Sequence, residues 1–338
     1  MKGYAAVLTW LLLLLHTAAP TWAGAKLPYT YFRLGSSADA TPATTPGTVL
    51  MGGGTDVDAA FVWLSQRSGN GDFLVIRAAG TDAYNPYIMA LCPDANSVAT
   101  LIIPTRTAAN DAHVATIIRQ AEAIWIAGGD QSDYLNDWKG TAVQEALNTQ
   151  LAKGVPIGGT SAGMNVLSQF IYSAQASQGV TSSQALADPF NRYMSFDRDF
   201  VTLPLHPLDG VIADPHFVTR DRMGRDLAFM ARISLLGWAT LTPPRSVSID
   251  EQTALLIDGN GTGTVVGSGR VYFLQAPGPP EVCQPKKPLT YRNIHVYRIS
   301  APSGSFNLHS WTGAKGAEYA VSALAGVLGS TQDGGNIY

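Results

Sequence analysis

Apolar residues fall first into short continuous runs separated by longer stretches with helical spacing. Residues 48–51, 73–77, 99–103, 123–126 and 155–157 are apolar runs bounded by Gly, Pro or polar clusters, the pattern of strands buried on both faces. Between them, residues 57–64, 110–121 and 141–153 place apolar side chains at helical intervals, with Asn110 or Ala109 opening the second helix. The alternation predicts an α/β domain with a doubly wound, mostly parallel sheet and right-handed crossovers. Past about Arg245 the period changes: residues 246–249, 253–257, 263–266, 270–274 and 294–299 are β-type runs with no long helix among them. They predict a β-rich C-terminal extension of the same sheet, with antiparallel strands. Residues 276–288, with five prolines and Cys283, read as a surface loop. Residues 24–47 read as an irregular lead-in and 311–338 as a peripheral tail, leaving residues 48–310 as the main domain.

The amino terminus stands apart. Lys2 precedes an apolar run over residues 5–15, and small residues around Ala23 offer a cleavage site, the arrangement of an export signal. The run is shorter than the roughly 20 residues that span a bilayer. Residues 1–23 are therefore expected to be removed, leaving a secreted protein, extracellular or periplasmic, without stable membrane association. That compartment permits a bridge between Cys92 and Cys283, the two cysteines, without requiring one.

Charge narrows the function classes. Only 14% of the 338 residues are charged, against roughly 25% in an average globular chain. The net charge of -3 provides no concentrated positive field for a nucleic acid. No clustered Cys/His pattern indicates a metal, and no organic cofactor is implied. Homodimerisation is compatible with the sequence.

The densest local signal is Gly159-Thr160-Ser161-Ala162-Gly163, following an apolar run and opening a segment, residues 162–170, that reads as a helix. A serine on such a strand-to-helix turn suits a nucleophile, with small residues letting neighbouring chain approach. The Ala162 amide is the natural first oxyanion donor. A glycine-rich turn with an ordinary capping serine has the same pattern. A second turn, Gly128-Gly129-Asp130-Gln131, follows the run at 123–126 and would lie at the same sheet edge. Amides of Gly129 and Asp130 could supply further donors, with Gln131 lining the cleft.

A serine nucleophile needs a base. Of the five histidines beyond the leader, His113, His206, His216, His295 and His309, His216 is best placed, in Asp214-Pro215-His216-Phe217 after an apolar run. Arg220, Arg222 and Arg225 follow it. They could hold a carboxylate, or simply pair with Asp221 and Asp226 on a solvated face. Glu251, with Asp250 as its immediate rival, is the candidate to orient the imidazole. The order Ser161, His216, Glu251 differs from that of α/β-hydrolases. An esterase using His295 or His309 is one alternative, and an exported, non-catalytic acidic-peptide-binding protein is another.

Taken together, Gly128-Gly129-Asp130-Gln131, Gly159-Thr160-Ser161-Ala162-Gly163, Asp214-Pro215-His216-Phe217 with Arg220, Arg222 and Arg225, and Asp250-Glu251 resemble the cyanophycinases of serine peptidase family S51, over most of residues 48–308. The resemblance implies a class I glutamine amidotransferase-like (flavodoxin-like) fold. It implies Ser161 as nucleophile, His216 as general base and Glu251 as third triad member, with Gln131, Asp214 and the three arginines contacting substrate. It also implies a peptide or cyanophycin-like substrate, with release of β-aspartyl-arginine dipeptides from cyanophycin. Pro215 stands where the family usually has Gln, a departure that bears on substrate identity.

Overall fold

The computed structural model describes residues 27–239 and 243–338. The predicted export signal, residues 1–23, lies outside the described residues. No helix among the described residues is long and apolar enough to cross a membrane.

The chain is a mixed α/β protein. Its first half runs β1 (Thr30–Gly35), β2 (Gly47–Met51), α1 (Asp58–Arg67), β3 (Asp72–Arg77), α2 (Tyr84–Leu91), β4 (Ser97–Ile102), α3 (Arg106–Ala109), α4 (Ala112–Arg119), β5 (Ala123–Ile126), α5 (Gln131–Asp133), α6 (Ala142–Ala152) and β6 (Ile157–Thr160). The order β4-β3-β5-β6-β2 is parallel throughout. Alternate residues divide its two faces. Val49, Met51, Phe73 and Val75 pack with Phe61 and Leu64 of α1 and Ile88 of α2. Their neighbours Leu50, Leu74 and Ile76 share a core with Val114 and Ile118 of α4 and Leu147 and Leu151 of α6.

The second half adds α7 (Ala162–Asn165), β7 (Phe170–Tyr172), α8 (Ser182–Ala187), β8 (Phe196–Arg198), β9 (Val211–Asp214), α9 (Met223–Leu235) and β10 (Arg245–Ile249). It ends with β11 (Thr253–Asp258), β12 (Thr262–Gly267), β13 (Arg270–Gln275), β14 (Tyr291–Ser300), β15 (Ser305–Asn307), β16 (Thr312–Ala314), β17 (Ala317–Leu324) and β18 (Val327–Ser330). The expected single extended sheet is corrected here: β11, β12, β15 and β16 extend the first sheet, while β18-β17-β14-β13-β10-β9-β7-β8 form a second. Ala213, Val247, Ile249 and Phe273 of the second sheet join the core that contains Leu255 and Ile257 of the first. The second sheet's other face packs Ile212, Tyr272 and Val296 with Leu227, Phe229 and Met230 of α9, each fully buried α9 side chain contributing about 1.5–3 kcal/mol of transfer free energy.

Several local expectations change. The lead-in contains β1, paired antiparallel with β4 and anchored by Arg33, whose guanidinium meets Asp72 at 2.8 Å. The tail is integral, because β17 pairs with β14 and buries Tyr319, Val321 and Ala323. Asp111, rather than Asn110 or Ala109, caps α4 by accepting from the His113 and Val114 amides at 2.8 and 3.4 Å. β6 lies further along than expected and includes Gly158, where a Cβ would stand 2.5 Å from the Trp125 ring. The helix expected over 162–170 stops at Asn165, where the Ser168 hydroxyl donates to the Asn165 carbonyl at 3.0 Å. That hydroxyl also accepts from the Ala213 amide at 3.1 Å, drawing the chain out beside β9. Cys92 and Cys283 are both free, buried in separate cores.

Candidate active site

Ser161 sits between β6 and α7 with φ 52° and ψ -114°, a left-handed backbone for a residue bearing a Cβ. The turn persists because its surroundings leave no alternative. A Cβ at Gly163 would lie 2.0 Å from the Ile126 carbonyl oxygen, one at Gly159 would lie 2.5 Å from the Gly163 backbone, and the Ser161 amide donates to Met51 at 3.1 Å. Strain of this kind concentrates where a side chain has to be aimed.

His216 follows β9, also with positive φ, 49°. Its amide donates to the Gly52 carbonyl at 2.8 Å. The ring lies between two partners: Nε2 is 2.7 Å from Ser161 Oγ, and Nδ1 is 2.6 Å from Glu251 Oε1. Asp250, the rival carboxylate, instead accepts from the Val218 and Arg270 amides at 3.2 and 3.1 Å. His295 faces Glu318 at 3.5 Å, and the His309 ring lies against Gly261. Neither lines the pocket at Ser161. Burial pushes the His216 imidazole below the ordinary histidine range; the hydrogen bond to Glu251 opposes this, while the charges of Arg220 and Arg222 add to it.

The sequence reading missed the element that seats both His216 and Glu251. Gly52-Gly53-Gly54 follows β2, with φ of +93° at Gly53 and +74° at Gly54. A Cβ at Gly53 would enter the His216 ring, and one at Gly54 would stand 3.0 Å from Glu251 Cβ. Gly53 also accepts from the Gln252 amide at 2.9 Å. Three consecutive glycines directly after an apolar run were the available signal.

Beside Ser161 is a polar pocket of about 310 Å³, lined among others by Gly129, Asp130, Gln131, Pro215, Arg220 and Arg222. The Gly129 turn rests on Tyr134, whose hydroxyl donates to the Ala127 carbonyl at 2.8 Å. The Asp130 carboxylate accepts from the Ser132 amide at 2.9 Å. Ala162 is buried and its N–H has no hydrogen-bond partner among the described residues. Gln131 Nε2 donates to the Tyr172 carbonyl at 3.1 Å.

The arginines separate into two kinds. Arg225 is buried and grips Asp214 with two nitrogens, Nε donating at 2.8 Å. Arg222 donates to Asp214 at 3.2 Å and to the Pro215 carbonyl at 2.7 Å, and burial lowers its pKa to about 10. Asp214 is thus 1% exposed and does not line the pocket, correcting its expected contact with substrate. Arg220 is exposed and has no ion-pair partner among the described residues. The expected alternative, pairing with Asp221 and Asp226, does not occur: Asp221 accepts from the Tyr338 hydroxyl, and Asp226 from Ser246 and Ser248. No group of three or more His, Cys, Asp or Glu side chains among the described residues is placed to hold a metal.

The family model for peptidase family S51 matches residues 97–265, half of the chain. Cyanophycinase from Trichormus variabilis is 26% identical over 212 residues, covering 61% of this chain and 64% of that protein. Cyanophycinase from Synechococcus elongatus is 25% identical over 210 residues, covering 62% and 55% respectively. The chain therefore spans less than two thirds of the length of these relatives. The solved structure of a peptidase from an acI-B1 Actinobacterium overlays with a TM-score of 0.49 at 20% identity, covering 69% of this chain and 92% of that one. With half its length matching the family model and the motif residues assembled around Ser161, the chain belongs to peptidase family S51.

Proposed function

We propose that this protein is a secreted serine peptidase that hydrolyses aspartyl-containing peptides, with cyanophycin as the leading substrate and β-aspartyl-arginine as its product. The observation that carries the reading is the continuous relay from Ser161 Oγ to His216 Nε2 at 2.7 Å and from Nδ1 to Glu251 at 2.6 Å. With its proton on Nδ1, the ring donates to Glu251 and accepts from Ser161, the arrangement required of a general base. Ser161 Oγ attacks the scissile carbonyl while its proton passes to Nε2. The same proton then goes to the leaving amine, and water, deprotonated by His216, hydrolyses the ester. Amides of Ala162, Gly129 and Asp130 serve as oxyanion donors.

Arg220 and the outward edge of Arg222 give the pocket its preference for a carboxylate, and Gln131 lines the same pocket. Arg225 also lines the pocket but is nearly enclosed, holding Asp214 and through it Arg222. The parallel order β4-β3-β5-β6-β2 supports treating the scaffold as a variant of the class I glutamine amidotransferase-like fold. Export rests on residues 1–23, and mass analysis of the secreted protein for cleavage after Ala23 tests it. The decisive experiment incubates the purified protein with cyanophycin and a panel of α- and β-aspartyl peptides and identifies products by mass. Release of β-aspartyl-arginine that disappears in Ser161→Ala supports the reading. Tight peptide binding without product favours the non-catalytic alternative.

A further inference from the structure

Asn165 is the last residue of α7 and is 3% exposed. Its backbone is fully used: the N–H donates to the Ser161 carbonyl at 3.1 Å, and the carbonyl accepts from the Ser168 hydroxyl at 3.0 Å. Its side chain has no such partners. Oδ1 is enclosed without a donor, and the amide makes no hydrogen bond among the described residues. A buried amide in that state costs about 1–3 kcal/mol, whereas an apolar side chain of similar size would carry no such cost. Among the described residues three other enclosed side-chain polar atoms share the condition, Arg67 Nε, Trp125 Nε1 and Tyr272 Oη, but none of those residues lines the pocket beside Ser161. Asn165 does, with Gln131, Tyr172 and Arg222 around the same space. Helical side chains lean toward the helix N-terminus, which for Asn165 is the Ser161 end. With Oδ1 enclosed, the atom it offers the pocket is Nδ2, a hydrogen-bond donor.

We infer that Asn165 is a specificity-determining residue whose Nδ2 donates to an oxygen of the bound acidic peptide, beside the charge supplied by Arg220 and Arg222. The inference rests on the reading of the pocket under Proposed function and extends it. A neutral donor set among cations favours a substrate oxygen without itself needing a counter-charge, so it discriminates by position where the arginines discriminate by sign. Once substrate is bound, Nδ2 gains an acceptor while Oδ1 stays enclosed without a donor, and the Nδ2 bond contributes to affinity.

The test measures binding of an aspartyl peptide and its asparaginyl counterpart by calorimetry, using Ser161→Ala protein so that no turnover occurs. Adding Asn165→Leu should weaken aspartyl-peptide binding roughly 10- to 100-fold, the range for one hydrogen bond to a charged group, with an equal or higher thermal midpoint. Adding Asn165→Asp, which keeps the shape and places a carboxylate against the substrate, should weaken the aspartyl peptide more than the asparaginyl one. In otherwise wild-type protein, Asn165→Leu should raise KM and leave kcat within about threefold. Unchanged aspartyl affinity in Asn165→Leu overturns the inference, as does an unchanged preference between the two peptides in Asn165→Asp. If the Ser161→Ala parent binds no aspartyl peptide, the reading of the pocket falls and takes this inference with it. If the parent binds and Asn165→Leu binds equally well, the inference alone falls.

Discussion

Gly53 lies against the imidazole of His216 so closely that a Cβ would stand 2.3 Å from ring Cε1. The preceding carbonyl, of Gly52, accepts the His216 amide at 2.8 Å, so the turn after β2 holds both the backbone and the ring of this histidine. Alanine at position 53 meets two obstacles: the left-handed φ of +93° and the ring itself. Gly53→Ala should fold with a loss of about 1–3 kcal/mol and lower kcat/KM roughly 100-fold, the scale of a 1 Å misplacement of a catalytic group. Steady-state kinetics on an aspartyl peptide alongside thermal unfolding checks both. Activity within twofold of wild type would show that the turn does not seat the ring.

The arginines should divide by what they hold. Asp214 is enclosed by Arg222 and Arg225, so Asp214→Ala leaves one buried and one partly buried cation without their carboxylate, a change worth about 3–5 kcal/mol of stability. Arg220→Ala removes an exposed charge with no ion-pair partner among the described residues and should alter stability by less than about 0.5 kcal/mol. Its effect should appear as a raised KM for aspartyl peptides. Denaturant unfolding combined with kinetics separates the two, and a comparable stability loss in both variants would contradict the division.

The lowered His216 pKa has a direct consequence for pH dependence. The neutral ring is the form able to take the Ser161 proton, so acylation should persist below the ordinary histidine range and fail as pH falls through the depressed value. Burial is the main cause, and the Arg220 charge adds to it. Arg220→Gln should therefore move the acid limb to higher pH. Glu251→Gln removes a group that raises the pKa, so its limb should move lower while the rate falls. Labelling of Ser161 by a small uncharged fluorophosphonate reads this without involving the carboxylate site. A limb shifted downward in Arg220→Gln would refute the electrostatic account.

What could be read from the chain, and what could not, follows from the range of each interaction. Strands β2 to β5 and helices α1, α4 and α6 were legible because burial on a fixed face imposes a local period. β1 was not, because an edge strand with exposed and half-exposed residues carries no such pattern and is held by pairing with β4 and by Arg33 on Asp72. The division of the C-terminal strands between two sheets was equally hidden, since continuously buried strands occur in both, β11 in the first and β10 and β13 in the second, and only long-range pairing assigns them. Turn chemistry at run ends singled out Ser161, His216 and Glu251 as candidates, with a capping serine and Asp250 as open rivals until the family resemblance assigned the roles, while Asp214 was misread because its partners lie 8 and 11 residues away on the next helix start. Gly52-Gly53-Gly54 was visible as composition, but its purpose required knowing which ring lies over it.

Tyr338 provides a last case of long-range support. Its hydroxyl accepts from the Met223 amide at 2.9 Å and donates to the Asp221 carboxylate at 2.7 Å, while its ring meets Phe217 edge-on at 5.6 Å. The segment so fastened, between His216 and α9, carries Arg220 and Arg222. Removing only the hydroxyl should loosen that segment without touching the Ser161–His216–Glu251 contacts. Tyr338→Phe should therefore raise KM for an aspartyl peptide roughly 2- to 10-fold, the value of one net hydrogen bond, with kcat within twofold. Tyr338→Ala, which also forfeits the packing on Phe217, should raise KM further and lower the thermal midpoint. Comparing both variants on a charged aspartyl peptide and on a neutral ester isolates the effect, because a segment that positions the arginines matters only for the charged substrate. Equal losses on the two substrates would show that Tyr338 supports the catalytic groups instead.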